Sequence, residues 1–308
     1  MSGSARVSGS ADTLASTGRV DGASRRRRLG SGLLALPAVV WLIGFFVVPV
    51  LIVAVVSLGA KDEFGGVLFE RLSFDNYARA LDPTFWPTVA NSFRYAAAAT
   101  LLSIAIGYPI AYWISRYGGR RKGLLLLLVM LPFWTSYLIR TYAWMIILRD
   151  NGVVNSVLET VGIIDRPILL LNTDIAVIIG MTYGFLPFAI LPLFVSIDRL
   201  DESIVQAARD LYASGRAAFV HVTLPLTMPG IVAASLLTFI PAIGDFVTPD
   251  LLGGAQTTTI AKIVQVFFLG ARDWPMGAAL GFILMAITVL GTLVALRTLR
   301  REIAGAAT

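Results

Sequence analysis

The sequence predicts an all-α integral membrane protein with six transmembrane helices and both termini on the cytoplasmic side. Three observations carry that expectation. Counted with Gly and without Tyr, roughly 62 % of the 308 residues are apolar, against about 45–50 % in soluble domains. Charged residues make up 14 % of the chain, where about 25 % is usual. A soluble globule of this length cannot hide so much apolar surface. The third observation is a series of apolar runs of about 20 residues, the length that crosses roughly 30 Å of hydrocarbon as a helix.

Residues 1–28 hold Ser, Gly, Ala and Arg and almost nothing large and apolar, so they read as a disordered cytoplasmic tail. The Arg25–Arg28 run abuts a span, and a stop on translocation in contact with anionic lipid explains it better than a nucleic-acid patch. The first span, about 33–58, is too long for a signal-peptide core and lacks a small-residue cleavage site, so it reads as an uncleaved anchor. An outer loop, 59–92, contains FDNYARAL, patterned as a short amphipathic helix. The second and third spans fall at about 93–114 and 123–148, followed by a polar outer segment, 149–172, with turn signals at Asp150-Asn151-Gly152 and Arg166-Pro167. The fourth, fifth and sixth fall at about 174–197, 230–252 and 276–297. Pro132, Pro187, Pro192 and Pro241 lie inside spans, which membrane helices tolerate when neighbours satisfy the freed backbone groups. One transmembrane domain thus covers 29–302, and 303–308 is a short cytoplasmic tail.

Orientation follows from the basic residues. With the N-terminus inside, sixteen of the 25 Lys and Arg residues fall in cytoplasmic segments, the bias expected of inner loops. The inner segments then carry a net +9 and the spans and outer loops a net −3. The overall +6 therefore records topology rather than an anionic partner. The spans and outer loops taken together are thus mildly acidic.

Composition also excludes several chemistries. With no Cys, disulfides, iron–sulfur clusters, Cys-based zinc sites and thiol nucleophiles are ruled out. The single His, His221, rules out multi-His metal sites, and its apolar neighbours suit a structural or surface role. No GxxxxGK[ST] phosphate loop is present. An integral membrane enzyme needs reactive groups gathered at one depth, and the Asp and Arg residues are scattered. An ion-driven carrier would show paired broken helices in its two halves, and no such symmetry is seen.

The cytoplasmic loop 198–229 is the most informative stretch. Ser203 and Gln206 have capping-box spacing, which starts a helix. Ile204, Ala208 and Leu211 then share a face, and Gly215 is placed to end that helix in the left-handed conformation. A second short helix follows from Arg216, Leu224-Pro225 turns the chain back, and Pro229 suits the first turn of the fifth span. Small residues at Ala207, Ala208, Ala213 and Gly215 leave one face thin. Two readings stay open: a hairpin lying on lipid, or one lying in a partner's groove.

QAARDLYASGRAAFVHVTLPLTMPGI, 206–231, resembles the EAA loop of ABC-importer membrane subunits: E-A-A, a Gly about seven residues on, and Leu-Pro before the next span. Gln206 stands where the family has Glu, keeping length and hydrogen bonding but giving up a charge. The resemblance implies the type I ABC importer permease fold, with this loop entering a cleft of a cytoplasmic ATPase. Gln206, Ala207, Ala208, Asp210, Gly215, Leu224 and Pro225 then take the docking positions. It further implies two ATPase copies, a second permease subunit and an extracytoplasmic substrate-binding protein as partners, in a bacterial cytoplasmic membrane, with no nucleic acid involved. ATP and Mg would reside on the ATPase, and this chain would bind no cofactor. Segments 131–148, 225–231, 244–254 and 272–280 are similar to spermidine/putrescine permeases. Iron, sulfate and molybdate permeases share the scaffold.

The residues themselves give partial support for a cationic solute. Asp245 lies 14 residues after Ile231, roughly 21 Å along a helix at 1.5 Å per residue. A carboxylate so deep costs at least about 2.5–3.5 kcal/mol, so it should face a wet pathway or pair with an intramembrane cation such as Arg140. Asp250 follows near the outer end of the span. Trp134, Tyr137, Tyr142 and Trp144 lie on the outer half of the third span. A ring face attracts an ammonium by roughly 0.5–2 kcal/mol, though Trp and Tyr at this height also form the interfacial belt. Trp134 and Tyr142 join Asp245 and Asp250 as the pathway candidates.

Overall fold

Apolar runs and the breakers between them set the helix boundaries of the computed structural model, which describes residues 20–69 and 72–305. The chain divides into two units, Met1–Val55 and Val56–Thr308. Helix α1 spans Val20–Leu58, with Pro37 and Pro49 inside it. Residues 20–28, expected in the tail, are therefore helical, while 1–19 and 306–308 lie outside the described residues. Strands β1 (Ala60–Lys61) and β2 (Val67–Leu68) pair antiparallel, Ala60 opposite Leu68. The expected short helix is α2, Asp75–Ala80. Its buried Asn76 donates to the carbonyls of Ser57 and Gly59 at 3.0 and 2.8 Å, satisfying groups left free at a helix C-terminus.

Helix α3, Trp86–Tyr117, starts earlier than expected because Pro87 suits its first turn. The third apolar run departs from a straight span. It forms α4 (Lys122–Met130), a 3₁₀ turn (Leu131–Trp134), α5 (Tyr137–Leu148) and α6 (Val153–Thr160). The segments Gly119–Trp134 and Tyr137–Thr160 meet at 83°. Pro132 has no N–H to continue the ladder, and Thr135 is extended. The Thr135 hydroxyl donates to the freed Pro132 carbonyl at 2.8 Å.

Helix α7, Asp174–Asp198, forms as expected and is capped by the Thr173 side chain. The loop after it holds α8 (Glu202–Asp210), α9 (Gly215–Ala218), a π-helical turn (Phe219–Thr223) and α10 (Leu224–Leu226). Helix α11 is Met228–Ile243, and the segment Gly215–Leu226 meets it at 61°. The fifth span is thus shorter than the expected 230–252: the chain breaks at Gly244–Phe246 and resumes as α12, Val247–Leu252. Helix α13 (Ile260–Gln265) leads through a π-helical turn to α14, Trp274–Gly305. Among the described residues four helices are long and apolar enough to cross a membrane, and each of two bent pairs brings the total to as many as six.

Helices α3, α7 and α11 pack on one another around two apolar clusters. One gathers Tyr95, Val177, Met181 and Ile243, the other Tyr108, Ile190, Leu193 and Ala234. Lipid offers no hydrophobic drive between helices, so close approach through small residues matters. A Cβ on Gly230 of α11 would collide with the Ser196 side chain on α7.

Candidate functional site

The loop between α7 and α11 is built from local caps. Asp201, rather than Ser203, is the N-cap of α8 and accepts from the Ser203 N–H at 2.9 Å. The Ser203 N–H and then its hydroxyl hold the Asp201 carboxyl below its ordinary 3.8. The Ser203–Gln206 capping box does not form, because Asp is an equally strong cap and stands two residues earlier. The far end also differs from expectation. Tyr212, at φ +64°, turns the chain out of α8, and Ala213 N–H bonds back to Ala208 O at 3.2 Å. Gly215 instead begins α9, behind the N-cap Ser214, so its place rests on something other than left-handed geometry. A Cβ there would meet nothing within 4 Å.

Three apolar residues of this hairpin face outward. Leu211 is 81 % and Tyr212 97 % exposed, and Ile204 is also exposed. Gln206, Ala207, Asp210, Gly215 and Pro225 are exposed, while Ala208 and Leu224 are half-buried. Leu224 packs against the Tyr108 cluster. His221 is exposed and shares a hydrogen bond with the Ala217 carbonyl through Nδ1 at 3.0 Å.

Both ends of the loop are pinned to the bundle. At the start, Asp198 accepts from Lys122 Nζ at 2.6 Å and from the Ser115 hydroxyl at 3.1 Å. At the end, Thr227 sits fully buried in the 61° bend. Its hydroxyl lies 2.9 Å from both the Tyr108 hydroxyl on α3 and the Thr223 carbonyl. The Ser196 hydroxyl on α7 reaches the Thr227 carbonyl at 3.4 Å. These bonds tie the base of the exposed hairpin to α3, α7 and α11. Sequence reasoning missed Asp198, Lys122, Tyr108 and Thr227. The only signal was polar side chains at the edges of apolar runs.

The broken fifth span carries the second set of residues. Asp245 is 8 % exposed. Its Oδ1 accepts from the N–H groups of Val247 and Thr248 at 2.9 and 3.3 Å, capping α12. Its Oδ2 accepts from the Tyr137 hydroxyl at 2.6 Å and from the Thr248 hydroxyl. The partner across from α5 is therefore Tyr137, and among the described residues Asp245 makes no ion pair with Arg140. The Arg140 guanidinium lies over the Phe133 and Tyr137 rings, 4.8 and 5.6 Å from their centroids. Its Nε and Nη1 are buried without a hydrogen-bond partner. Tyr137 thus separates the cation from the carboxylate.

Asp250 lies on α12, paired with Lys262 Nζ of α13 at 3.3 Å. Trp134 and Tyr142 are exposed. Among the described residues neither contacts Asp245 or Asp250 by hydrogen bond. The structure brings Asp245 together with Tyr137 and Thr248, and Asp250 with Lys262.

The chain is similar to known proteins in sequence and in fold. The family of binding-protein-dependent transport system inner membrane components matches residues 103–302. The spermidine/putrescine transport system permease protein PotB of Haemophilus influenzae is 41 % identical over 266 residues, covering 85 % of this chain and 93 % of that one. PotB of Escherichia coli K12 is 41 % identical over 262 residues, covering 84 % and 94 %. In structure, a chain of a bacterial ABC transporter involved in the import of the acidic polysaccharide alginate superposes with a TM-score of 0.72 at 17 % identity. That superposition covers 92 % of this chain and 99 % of the other, and the fold is that of type I ABC importer permeases.

Proposed function

Because the chain belongs to the family of binding-protein-dependent transport system inner membrane components, we propose that it is the membrane-spanning subunit of an ATP-driven importer for a polyamine such as spermidine or putrescine. It lies in a cytoplasmic membrane and serves transport rather than catalysis. The observation that carries this reading is the exposed hairpin α8–α9, pinned at both ends to the bundle, in a chain 41 % identical to PotB.

The geometry supports a division of work among these parts. A cytoplasmic ATPase, two copies per importer, receives α8 at Gln206, Ala207 and Ala208. Leu211 and Tyr212 lie exposed at the tip for the same contact. Gly215, with open space where a side chain would project, lets the partner come close. When the ATPases bind and hydrolyse ATP with Mg, hairpin motion enters the bundle at Asp198 and Thr227. Opening of the break at Gly244–Phe246 then exposes the outer half of the path. Asp250 is the accessible carboxylate there, while Asp245 holds the two half-helices in place. A second permease subunit completes the pathway and an extracytoplasmic binding protein supplies the solute. Basic residues concentrated in the segments taken as inner set both termini in the cytoplasm.

Uptake by proteoliposomes containing the complete importer tests the solute. Labelled spermidine should accumulate, with competition by unlabelled putrescine and none by molybdate. Accumulation of labelled molybdate in place of spermidine would move the chain to an oxyanion importer.

A further inference from the structure

Asp250 and Lys262 stand on two short helices whose mutual placement is fixed by backbone bonds. Helix α12 is capped by Asp245, and its Leu252 carbonyl accepts from the Asn172 N–H at 2.9 Å. Gly254 lies against the same residue: a Cβ there would be 2.7 Å from the Asn172 carbonyl oxygen. Helix α13 is capped by Thr259, and its Ile260 N–H donates to the buried Ser92 hydroxyl of α3 at 2.8 Å. The ion pair at 3.3 Å therefore joins helices that other bonds already hold, so their alignment does not depend on it.

Accessibility separates the two carboxylates near the break. Asp245 is buried and receives four donated hydrogen bonds. The Asp250 side chain is 42 % exposed and its partner Lys262 is 20 % exposed. The more exposed of the two carboxylates is thus already paired, and its partner is a primary ammonium on a flexible four-carbon stem. Spermidine and putrescine end in that same group on a stem of similar kind.

We propose that Lys262 is a tethered competitor that sets the cation specificity of the pathway at Asp250. A solute ammonium reaching Asp250 takes the place of the lysine ammonium, and the lysine stem swings aside. A cation enters only if it binds Asp250 better than the resident ammonium does, which excludes small, strongly hydrated metal ions and admits chains bearing several ammonium groups. Discrimination by a built-in rival is the repulsive half of specificity. The pair is partly exposed, so it is weak enough to exchange reversibly. The inference rests on the polyamine reading above.

The test uses the complete importer in proteoliposomes, with initial spermidine uptake measured at limiting loaded binding protein and the assembled complex quantified. Lys262→Met keeps the stem and removes the charge; Asp250→Asn keeps the shape and removes the acceptor. The expected effects have opposite signs. Lys262→Met raises uptake by about two- to five-fold, the factor that a partly exposed ion pair is worth, and Asp250→Asn lowers it by a similar factor. Sodium ions at high concentration should inhibit Lys262→Met more than wild type. A fall in both variants together with lost assembly would make the pair a structural clip and overturn the proposal. Unchanged uptake by Lys262→Met at normal assembly would overturn it too, with the polyamine reading intact. Absence of polyamine uptake by the wild-type importer would sink both.

Discussion

Replacing Tyr137 by Phe removes one hydroxyl from the break in the fifth span and little else. That hydroxyl is 2.6 Å from Asp245 Oδ2 and 2.6 Å from the Thr248 hydroxyl. In Tyr137→Phe the buried carboxylate keeps both backbone donors and the Thr248 hydroxyl but loses its one link to α5. A hydrogen bond to a charged group contributes about 1.5–3 kcal/mol, whereas polar contacts between membrane helices average about 0.6 and reach at most about 1.7 kcal/mol. The ranges meet near ~1.5 kcal/mol, about a tenfold shift in a folding equilibrium. For a chain of 308 residues, at about 2.1 cal/mol/K of unfolding entropy per residue, that is a fall in Tm of roughly 2–3 °C. Thermal unfolding of the purified importer in detergent, followed for wild type and Tyr137→Phe, measures it. Thr248→Val should cost a similar amount, and the double variant less than the sum, because both hydroxyls serve one oxygen. An unchanged Tm in Tyr137→Phe, or strict additivity in the double variant, would refute the shared cluster as the clamp on the break.

Three further outcomes are expected. Thr227→Val leaves the helices packed but frees the bend from Tyr108, so ATPase activity of the complex should persist while uptake falls; retention of both at wild-type levels would remove the bend from the coupling route. Asp201→Ala should fray α8 and weaken ATPase binding, with Asp201→Asn close to wild type because Asn caps equally well. The same cap gives a pH dependence. The Asp201 carboxyl is held below 3.8 in the folded chain, so its contribution to α8 is full above that pH and lost as pH falls through the lowered value. Hydrogen exchange of the α8 amides followed from neutral pH through a titration well below pH 3.8 reads this, and protection that never falls along it would contradict it.

Legibility of the sequence followed the range of the forces involved. The apolar runs that became α3, α7 and α14 were plain, because crossing a bilayer imposes length and composition locally. The third run was read as one span because its composition is continuous; the 83° break depends on Pro132 with the extended Thr135, and other prolines, such as Pro187 and Pro192, sit inside unbroken α7. Around Asp245 the need for a partner was readable from cost alone. Which partner was not, since Tyr137 lies 108 residues away and Arg140, one turn further along α5, carries the more obvious charge. In the cytoplasmic loop the left-handed turn that the motif's Gly215 leads one to expect is made by Tyr212 instead. A glycine kept for a partner's approach looks the same in sequence as one kept for its φ.

That distinction supplies the most direct test of the central claim, that ATPase motion enters this chain through the exposed hairpin. ATP-dependent spermidine uptake is measured in proteoliposomes holding the complete importer with wild-type chain or Gly215→Asp. Wild-type vesicles should take up spermidine only with ATP available to the ATPase, and Gly215→Asp should abolish uptake with the variant chain still inserted and folded, since the added side chain meets only open space within the chain. Uptake by Gly215→Asp at the wild-type rate, or wild-type uptake driven by an ion gradient without ATP, would contradict the claim.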